Sequence, residues 1–415
     1  MPTQEVLLEF KQNMKKVLIT IFSVLLISLG AKSFAYDSSN DYSKPTLITF
    51  IYLNGSNDLS YKNRLKFKET FEKDVKKLHP KMVEGFSNDA LAKKLFLKDG
   101  KFQINPEPIV FYWGDRSLNE IKNIDNGLNT AKQYTPRIAQ KVRSIFAHCL
   151  HDAIWIQKYQ NMEPVIDDLQ KVVKAETDKG RKVVLFGYSA GSFITYQYFL
   201  HKFTSIVPNE LVANNQNEEI TEIIRNTPVQ PTCLDALIET DLINLDVSGK
   251  FQPNSDIENF KTNYPKLDEK TQMACFKNDA VKGVVNFASP LILFYSDITD
   301  ASTNINFLSQ LMVKTIVEND IFFLTVNYRN DPLGFPSTEN ITMKKLQTTN
   351  SILAKYFKNG NGFIFNKSDI YVPRTFITAH MAYWATPKRF VKGIINAYND
   401  GYTNFYSLSR HNCCQ

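Results

Sequence analysis

The pentapeptide Gly187-Tyr188-Ser189-Ala190-Gly191 sets one hydroxyl between two glycines, where two apolar stretches meet. Before it, "KVVLFG" (Lys182 to Gly187) reads as a buried strand; after it, Phe193, Ile194 and Tyr196 to Leu200 read as a helix. A turn that sharp forces the serine into a strained backbone conformation. Glycines at 187 and 191 remove the Cβ atoms that would collide across it. The hydroxyl then stands at the carboxyl end of a sheet beside a helix N-terminus, where developing negative charge is favoured. Ser189 is therefore a candidate nucleophile, and the backbone N–H of Ala190 a candidate oxyanion donor. The bland alternative is an ordinary turn serine.

This strand-turn-helix setting resembles the nucleophile elbow of α/β-hydrolases, in which an acid and then a histidine follow the serine. A neutral hydroxyl is a poor nucleophile, so Ser189 requires both. Downstream lie His201, His380 and His411. His201 falls well along the elbow helix and His411 in the terminal tail, which leaves His380, in "TFITAHMAYW", as the expected base; the alternative is a hydrogen-bonded core histidine. For the acid, Asp331 follows the apolar run "IFFLTVNY", and Pro332 and Gly334 enforce a turn that can aim its carboxylate. Asp297 and Asp300 are rivals, and a turn-capping aspartate is the alternative. A second oxyanion donor is expected from "YLNGSND", where Gly55 permits close approach and Ser56 offers an N–H and a hydroxyl.

In their order along the chain these motifs resemble the class 3 lipases of that superfamily. Asn54-Gly55-Ser56 occupies the place of the family's oxyanion loop, although Asn54 replaces its usual basic or imidazole residue. "NFASP" (Asn286 to Pro290) is similar to its strand end, and Asn330-Asp331-Pro332 with Phe335-Pro336 to its acid turn. His380 shortly before Tyr383-Trp384 is similar to its histidine. The resemblance spans Thr46 to Trp384. It implies an α/β-hydrolase that cleaves carboxylic esters, lipid esters in particular, through Ser189, His380 and Asp331, with no cofactor and no metal. An alternative of another class is an exported binding protein on the same scaffold with an incomplete triad.

Two further clusters carry reactive side chains. "HCLHD" gives His148, Cys149, His151 and Asp152 a metal-like spacing, but helical periodicity spreads them around the axis, and a solvated helix face is the expectation. The chain has five cysteines, an odd count. Cys233 and Cys275 are the favoured disulfide pair, and Cys413-Cys414 lie in the tail.

The elements that must position these groups are strands buried on both faces: Thr46–Leu53, Pro108–Trp113, Lys182–Gly187, Gly283–Ala288 and Ile321–Tyr328. Between them, Val165, Ile166, Leu169, Val172 and Val173 form one helical stripe with Pro164 near its start, and Ile138, Val142, Ile145 and Cys149 another. The expected class is α/β, with a mostly parallel central sheet flanked by helices. A polar stretch at about 204–282 breaks the alternation and reads as an inserted cap-like segment; disorder is the alternative.

Lys15-Lys16, the apolar run Val17–Leu29 and Ser33-Phe34-Ala35 read as a cleavable export signal over residues 1–35, with the start expected at Met14; an uncleaved anchor is the alternative. The run falls short of the roughly 20 residues a spanning helix takes. Residues 36–415 then form the mature hydrolase domain, exported to the periplasm or beyond. The formal charge of +7 is not gathered into a basic run, which argues against nucleic acid and leaves weak attraction to an anionic membrane surface.

Overall fold

The computed structural model describes residues 45–56, 61–88, 102–131, 136–203, 211–212, 215–230, 232–245, 251–274, 280–291, 299–300, 305–306, 312, 315–316, 319, 321–335 and 364–396. The expected export signal lies outside these residues. No described helix is long and apolar enough to cross a membrane.

Seven strands form one sheet: β1 (Thr46–Leu53), β2 (Phe102–Ile104), β3 (Ile109–Phe111), β4 (Lys182–Tyr188), β7 (Val281–Phe287), β10 (Phe322–Tyr328) and β11 (Ile364–Ile370). Their order is β11-β10-β7-β4-β1-β2, with β3 also paired to β1, and every pairing is parallel. Two small antiparallel pairs stand apart, β5 (Ile243–Leu245) with β6 (Phe251–Pro253), and β8 (Thr299–Asp300) with β9 (Ile305–Asn306).

Parallel pairing requires long crossovers, and helices supply them on both faces. Strand residues alternate between two cores: Ile51, Leu53 and Leu185 on one side, and Phe50, Tyr52, Val184 and Phe186 on the other. Helices α3 (Arg137–Gln157), α4 (Tyr159–Thr177) and α5 (Ala190–Tyr198) are represented in the first core by Trp155, Leu169 and Ile194. The second core takes Val75 and Leu78 of α1 (Tyr61–Asn88), with Phe390 and Ile394 of the helical segment 387–396. Each buried aliphatic or aromatic side chain contributes about 1.5–3 kcal/mol. A one-residue slip of β4 would exchange its two sets, so two-sided burial fixes the register that places Ser189.

Of the α4 stripe, Val165, Ile166, Leu169 and Val173 are buried and Val172 is partly so. Pro164 lies inside the helix rather than near its start, because α4 begins at Tyr159. Helix α3 also forms, but the side chains of Ile138, Val142, Ile145 and Cys149 lie outside the described set. Helix α2 (Leu118–Ala131) precedes it.

Within the stretch at 204–282 the described residues are folded. Helices α6 (Glu218–Asn226), α7 (Leu234–Glu239), α8 (Ile257–Asn263) and α9 (Leu267–Ala274) send Ile220, Leu237, Phe260 and Leu267 into the first core. Asn217 and Asp256 cap α6 and α8 with side-chain oxygens. Cys233, buried at the N-cap of α7, is disulfide-bonded; Cys275, its favoured partner, lies outside the described residues, as do Cys413 and Cys414.

The solvated face expected for "HCLHD" is corrected. His148 and Asp152 are fully buried because each has a polar partner: Asp125 Oδ1 at 2.8 Å from His148 Nε2, and Arg64 Nη1 at 2.9 Å from Asp152 Oδ1. His151 also sits beside Asp152, its Nδ1 3.5 Å from Oδ1.

Candidate active site

Ser189 joins β4 to α5 with φ 50° and ψ −119°, a region that non-glycine residues enter at a cost of about 1–3 kcal/mol. The surroundings hold it there. Its N–H donates to the Phe287 carbonyl at 2.9 Å. Its carbonyl accepts from the Ser192 N–H at 2.9 Å and the Ser192 hydroxyl at 2.5 Å, and that hydroxyl in turn accepts from Ser289 at 2.9 Å. The elbow glycines are required by space. A Cβ on Gly191 would stand 2.7 Å from the Asn54 carbonyl oxygen, and one on Gly187 2.5 Å from Asn286 Oδ1.

His380 follows the short helix α10 (Phe376–Ala379) and precedes α11 (Ala382–Ala385). Its Nε2 lies 3.1 Å from Ser189 Oγ. On the other edge of the ring, Nδ1 lies 3.0 Å and 3.2 Å from the two oxygens of Asp331. A carboxylate accepts only, so the proton belongs on Nδ1 and the Nε2 lone pair faces the serine. Tyr188 tethers the loop: its hydroxyl donates to the His380 carbonyl at 2.8 Å, and its ring lies 5.4 Å from the imidazole.

Asp331 follows β10 in a turn closed by its own side chain, which accepts from the Leu333 N–H at 2.9 Å. The Tyr383 hydroxyl donates to its second oxygen at 2.8 Å. Burial pushes this carboxyl up, but the hydrogen bonds and charge of His380, the Leu333 N–H and Tyr383 outweigh burial and hold it below the ordinary aspartate value. Asn330 binds the His380 segment through the Val372 and Arg374 carbonyls at 3.0 Å and 2.6 Å.

Opposite the triad, the loop after β1 presses on the elbow. A Cβ on Gly55 would meet Ser189 Cβ at 2.7 Å, so only glycine lets this backbone approach so closely. The fully buried Asn54 holds the loop. Its Oδ1 accepts from the Trp113 N–H at 3.0 Å, its carbonyl from the Trp113 indole at 2.7 Å, and its Nδ2 donates to the Gly55 carbonyl at 2.9 Å. Ser56 closes the described part of the loop and is partly exposed; Ala190 opens α5 and is buried.

Three distant side chains singled out in the sequence thus meet in one hydrogen-bonded line, with Gly55 against the nucleophile. His201 is instead buried beside Asp235, its Nδ1 2.5 Å from Oδ1. His411 and Asp297 lie outside the described residues. Sequence reasoning missed the supports: Tyr188, Ser192, Ser289 and the Asn54–Trp113 clamp. Asn54 stood out only as a departure from the lipase loop, and Tyr383 only as part of a motif.

An α/β fold with a serine, an imidazole and a carboxylate aligned at the carboxyl end of its sheet can generate a serine nucleophile. Comparisons with protein-family models, with curated proteins and with solved structures found no match.

Proposed function

We propose that this chain is an exported serine hydrolase of the α/β-hydrolase type that cleaves carboxylic esters, lipid esters in particular. The observation that carries the proposal is the 3.1 Å separation of His380 Nε2 from Ser189 Oγ while Nδ1 engages Asp331. In the reaction, Ser189 Oγ attacks the acyl carbonyl as its proton passes to Nε2. The carbonyl oxygen takes up the negative charge against the Ala190 N–H and the Gly55-Ser56 loop. Collapse breaks the ester C–O bond, and the alcohol leaves with the proton from Nε2. Water, deprotonated by the same nitrogen, then releases the acid and restores the serine. Asp331 balances the imidazolium in both halves.

The lipid preference rests on the lipase resemblance and on the surface beside the triad. Met381, next to His380 in the chain, is 52% exposed. The folded segment after the elbow acts as the cap of this reading, and the N-terminal leader sends the chain out of the cytoplasm.

A fluorophosphonate probe tests the chemistry. Stoichiometric labelling of the mature protein, lost in Ser189→Ala, supports the hydrolase; folded wild type that stays unlabelled supports a binding protein on this scaffold. A panel of p-nitrophenyl esters then tests the substrate class. Activity that rises with chain length and with substrate aggregation supports lipid esters, and preference for short soluble esters overturns that part.

A further inference from the structure

Of the methionine side chains among the described residues, Met82, Met162 and Met312 are buried in the two cores, at 4% exposure or less, whereas Met381 is half exposed. An oxidant dissolved in water reaches a sulfur that water reaches. Met381 directly follows His380 and stands at the N-cap of α11. Its sulfur has a polar neighbour. The Tyr188 hydroxyl, which donates to the His380 carbonyl at 2.8 Å, also lies 3.2 Å from Met381 Sδ. A phenol has one proton to give, and a thioether is a weak acceptor beside a carbonyl, so the carbonyl keeps that proton while the sulfur is reduced.

The phenol itself has little freedom. Tyr188 is buried, with its ring 5.4 Å from that of His380 and 5.3 Å from those of Trp384 and Phe287. It ends β4 and immediately precedes Ser189. One hydroxyl thus links the strand of the nucleophile to the loop of the base, and the flexible, unbranched chain of Met381 carries a second acceptor up to it.

We propose that Met381 is a site of reversible oxidation by peroxide, and that its sulfoxide slows the triad by drawing the Tyr188 proton off the His380 carbonyl. The slowing rests on the hydrolase reading; the oxidation and the change of acceptor do not. In the step, the sulfur lone pair attacks one oxygen of hydrogen peroxide, the S–O bond forms and the O–O bond breaks. The proton on the transferred oxygen leaves with the departing hydroxide as water. Sulfur gives up two electrons and the peroxide takes them. The side chain is then polar where it was apolar, and reductases specific for each sulfoxide epimer reverse the change. The Tyr188 hydroxyl turns to the new oxygen, the His380 carbonyl loses its donor, and the imidazole is held less firmly at 3.1 Å from Ser189 Oγ. One neutral hydrogen bond is worth up to about ten-fold, so the triad slows without being abolished.

Three mature proteins, wild type, Met381→Leu and Tyr188→Phe, are treated with hydrogen peroxide, each compared with its own untreated sample. Peptide mass spectrometry is expected to find Met381 oxidised about ten-fold faster than Met82, Met162 and Met312. For wild type, kcat on p-nitrophenyl butyrate should fall about ten-fold with KM little changed, and recover after methionine sulfoxide reductases A and B. Met381→Leu has no sulfur to oxidise there and should keep its untreated rate. Tyr188→Phe has no proton to divert and should keep its own untreated rate although Met381 is oxidised. The imidazole nitrogen NMR signals of His380, identified by their absence in His380→Gln, report the change without substrate. They should move on oxidation of wild type and far less in Tyr188→Phe. A wild type that hydrolyses no ester even untreated would overturn the hydrolase reading, and these signals alone would then decide whether the sulfoxide takes the proton. Signals unmoved in oxidised wild type, a Met381 no faster to oxidise than the buried methionines, or a Tyr188→Phe that responds as wild type does, would each overturn the proposal.

Discussion

The Tyr383 hydroxyl donates to Asp331 Oδ2 at 2.8 Å while accepting from the Tyr328 backbone N–H at 2.8 Å. Its ring lies flat on that of Tyr328, with centroids 4.0 Å apart and 4° between planes. Burial, and after it the Asp331 charge, raises the Tyr383 phenol far above its ordinary value, so it stays a proton donor at every working pH. It donates to Oδ2, the oxygen that lies the farther, at 3.2 Å, from His380 Nδ1, and so positions Asp331 without touching substrate.

Tyr383→Phe keeps the ring stack and removes that donor. A hydrogen bond to a charged group is worth about 1.5–3 kcal/mol, so kcat/KM falls about ten-fold or more with KM little changed. Loss of a donor also raises the Asp331 pKa, and the carboxylate protonates sooner on acidification. The variant therefore keeps a smaller fraction of its pH 8 activity at pH 5 than wild type does. Parallel profiles would reduce Tyr383 to packing.

Asp331→Asn leaves the geometry but cannot hold the proton on Nδ1, and kcat is expected to fall about 10⁴-fold. Stability responds with a definite sign. The folded value of Asp331 is depressed, so its contribution is fully present above the unfolded carboxyl value of about 3.9. It is lost as pH falls through the lower folded value. Melting temperatures of the two proteins should differ most at pH 7 and converge in strong acid. A gap that widens on acidification would contradict the depressed value.

The centre of the sheet was legible because burial on both faces writes uninterrupted apolar runs. Thr46–Leu53 matches β1, and the expectations for β4, β7 and β10 hold to within two residues at either end. The edges were not. Phe102–Ile104 is too short to show a pattern, and "IFNKSDI" of β11 carries Lys367 and Asp369 at the opposite edge, where no second neighbour strand among the described residues demands an apolar run. The triad was legible because turn chemistry marks it: glycines around Ser189, and proline and glycine after Asp331. Its supports were not, since Tyr188, Ser192, Ser289 and Trp113 look in sequence like any buried residues. Only three-dimensional contact tells them apart. Likewise, His148 and Asp152 gave no sign that Asp125 and Arg64 would accompany them into the interior.

The backbone of Ser189 predicts an uncommon stability order. Ser189→Ala and Ser189→Gly both lose the hydroxyl and its contact with His380, so comparing them isolates the strain at φ 50°. Glycine adopts this region freely, whereas alanine retains a penalty of about 1–3 kcal/mol, offset in part by the greater entropy that glycine loses on folding. The glycine variant should be the more stable by about 1 kcal/mol in urea unfolding, and both should be inactive. An alanine variant that proves the more stable would mean that the elbow relaxes when the serine is gone.

A buried charge cluster pins the segment that follows the elbow. Lys202, in the π-helical turn Phe199–Phe203 that continues α5, lies 2.6 Å from Asp235 Oδ2 of α7 and 2.9 Å from Asp167 Oδ1 of α4, and His201 Nδ1 is 2.5 Å from Asp235 Oδ1. Burial alone pushes Asp235 up and Lys202 down, but His201 and then Lys202 beside the carboxylate, and Asp235 and then Asp167 beside the ammonium, reverse both directions. Asp235→Asn leaves the ammonium with the half-exposed Asp167 as its one remaining carboxylate among the described residues, and weakening a buried pair in this way costs up to about 3 kcal/mol. The urea midpoint should fall by that equivalent with an unchanged slope. The paired replacement Asp235→Leu with Lys202→Met removes both charges, so most of the loss should return if desolvation is its source. A double variant no more stable than Asp235→Asn would instead make the cluster's hydrogen-bond geometry, rather than the desolvation of its charges, what joins α7 to the elbow helix.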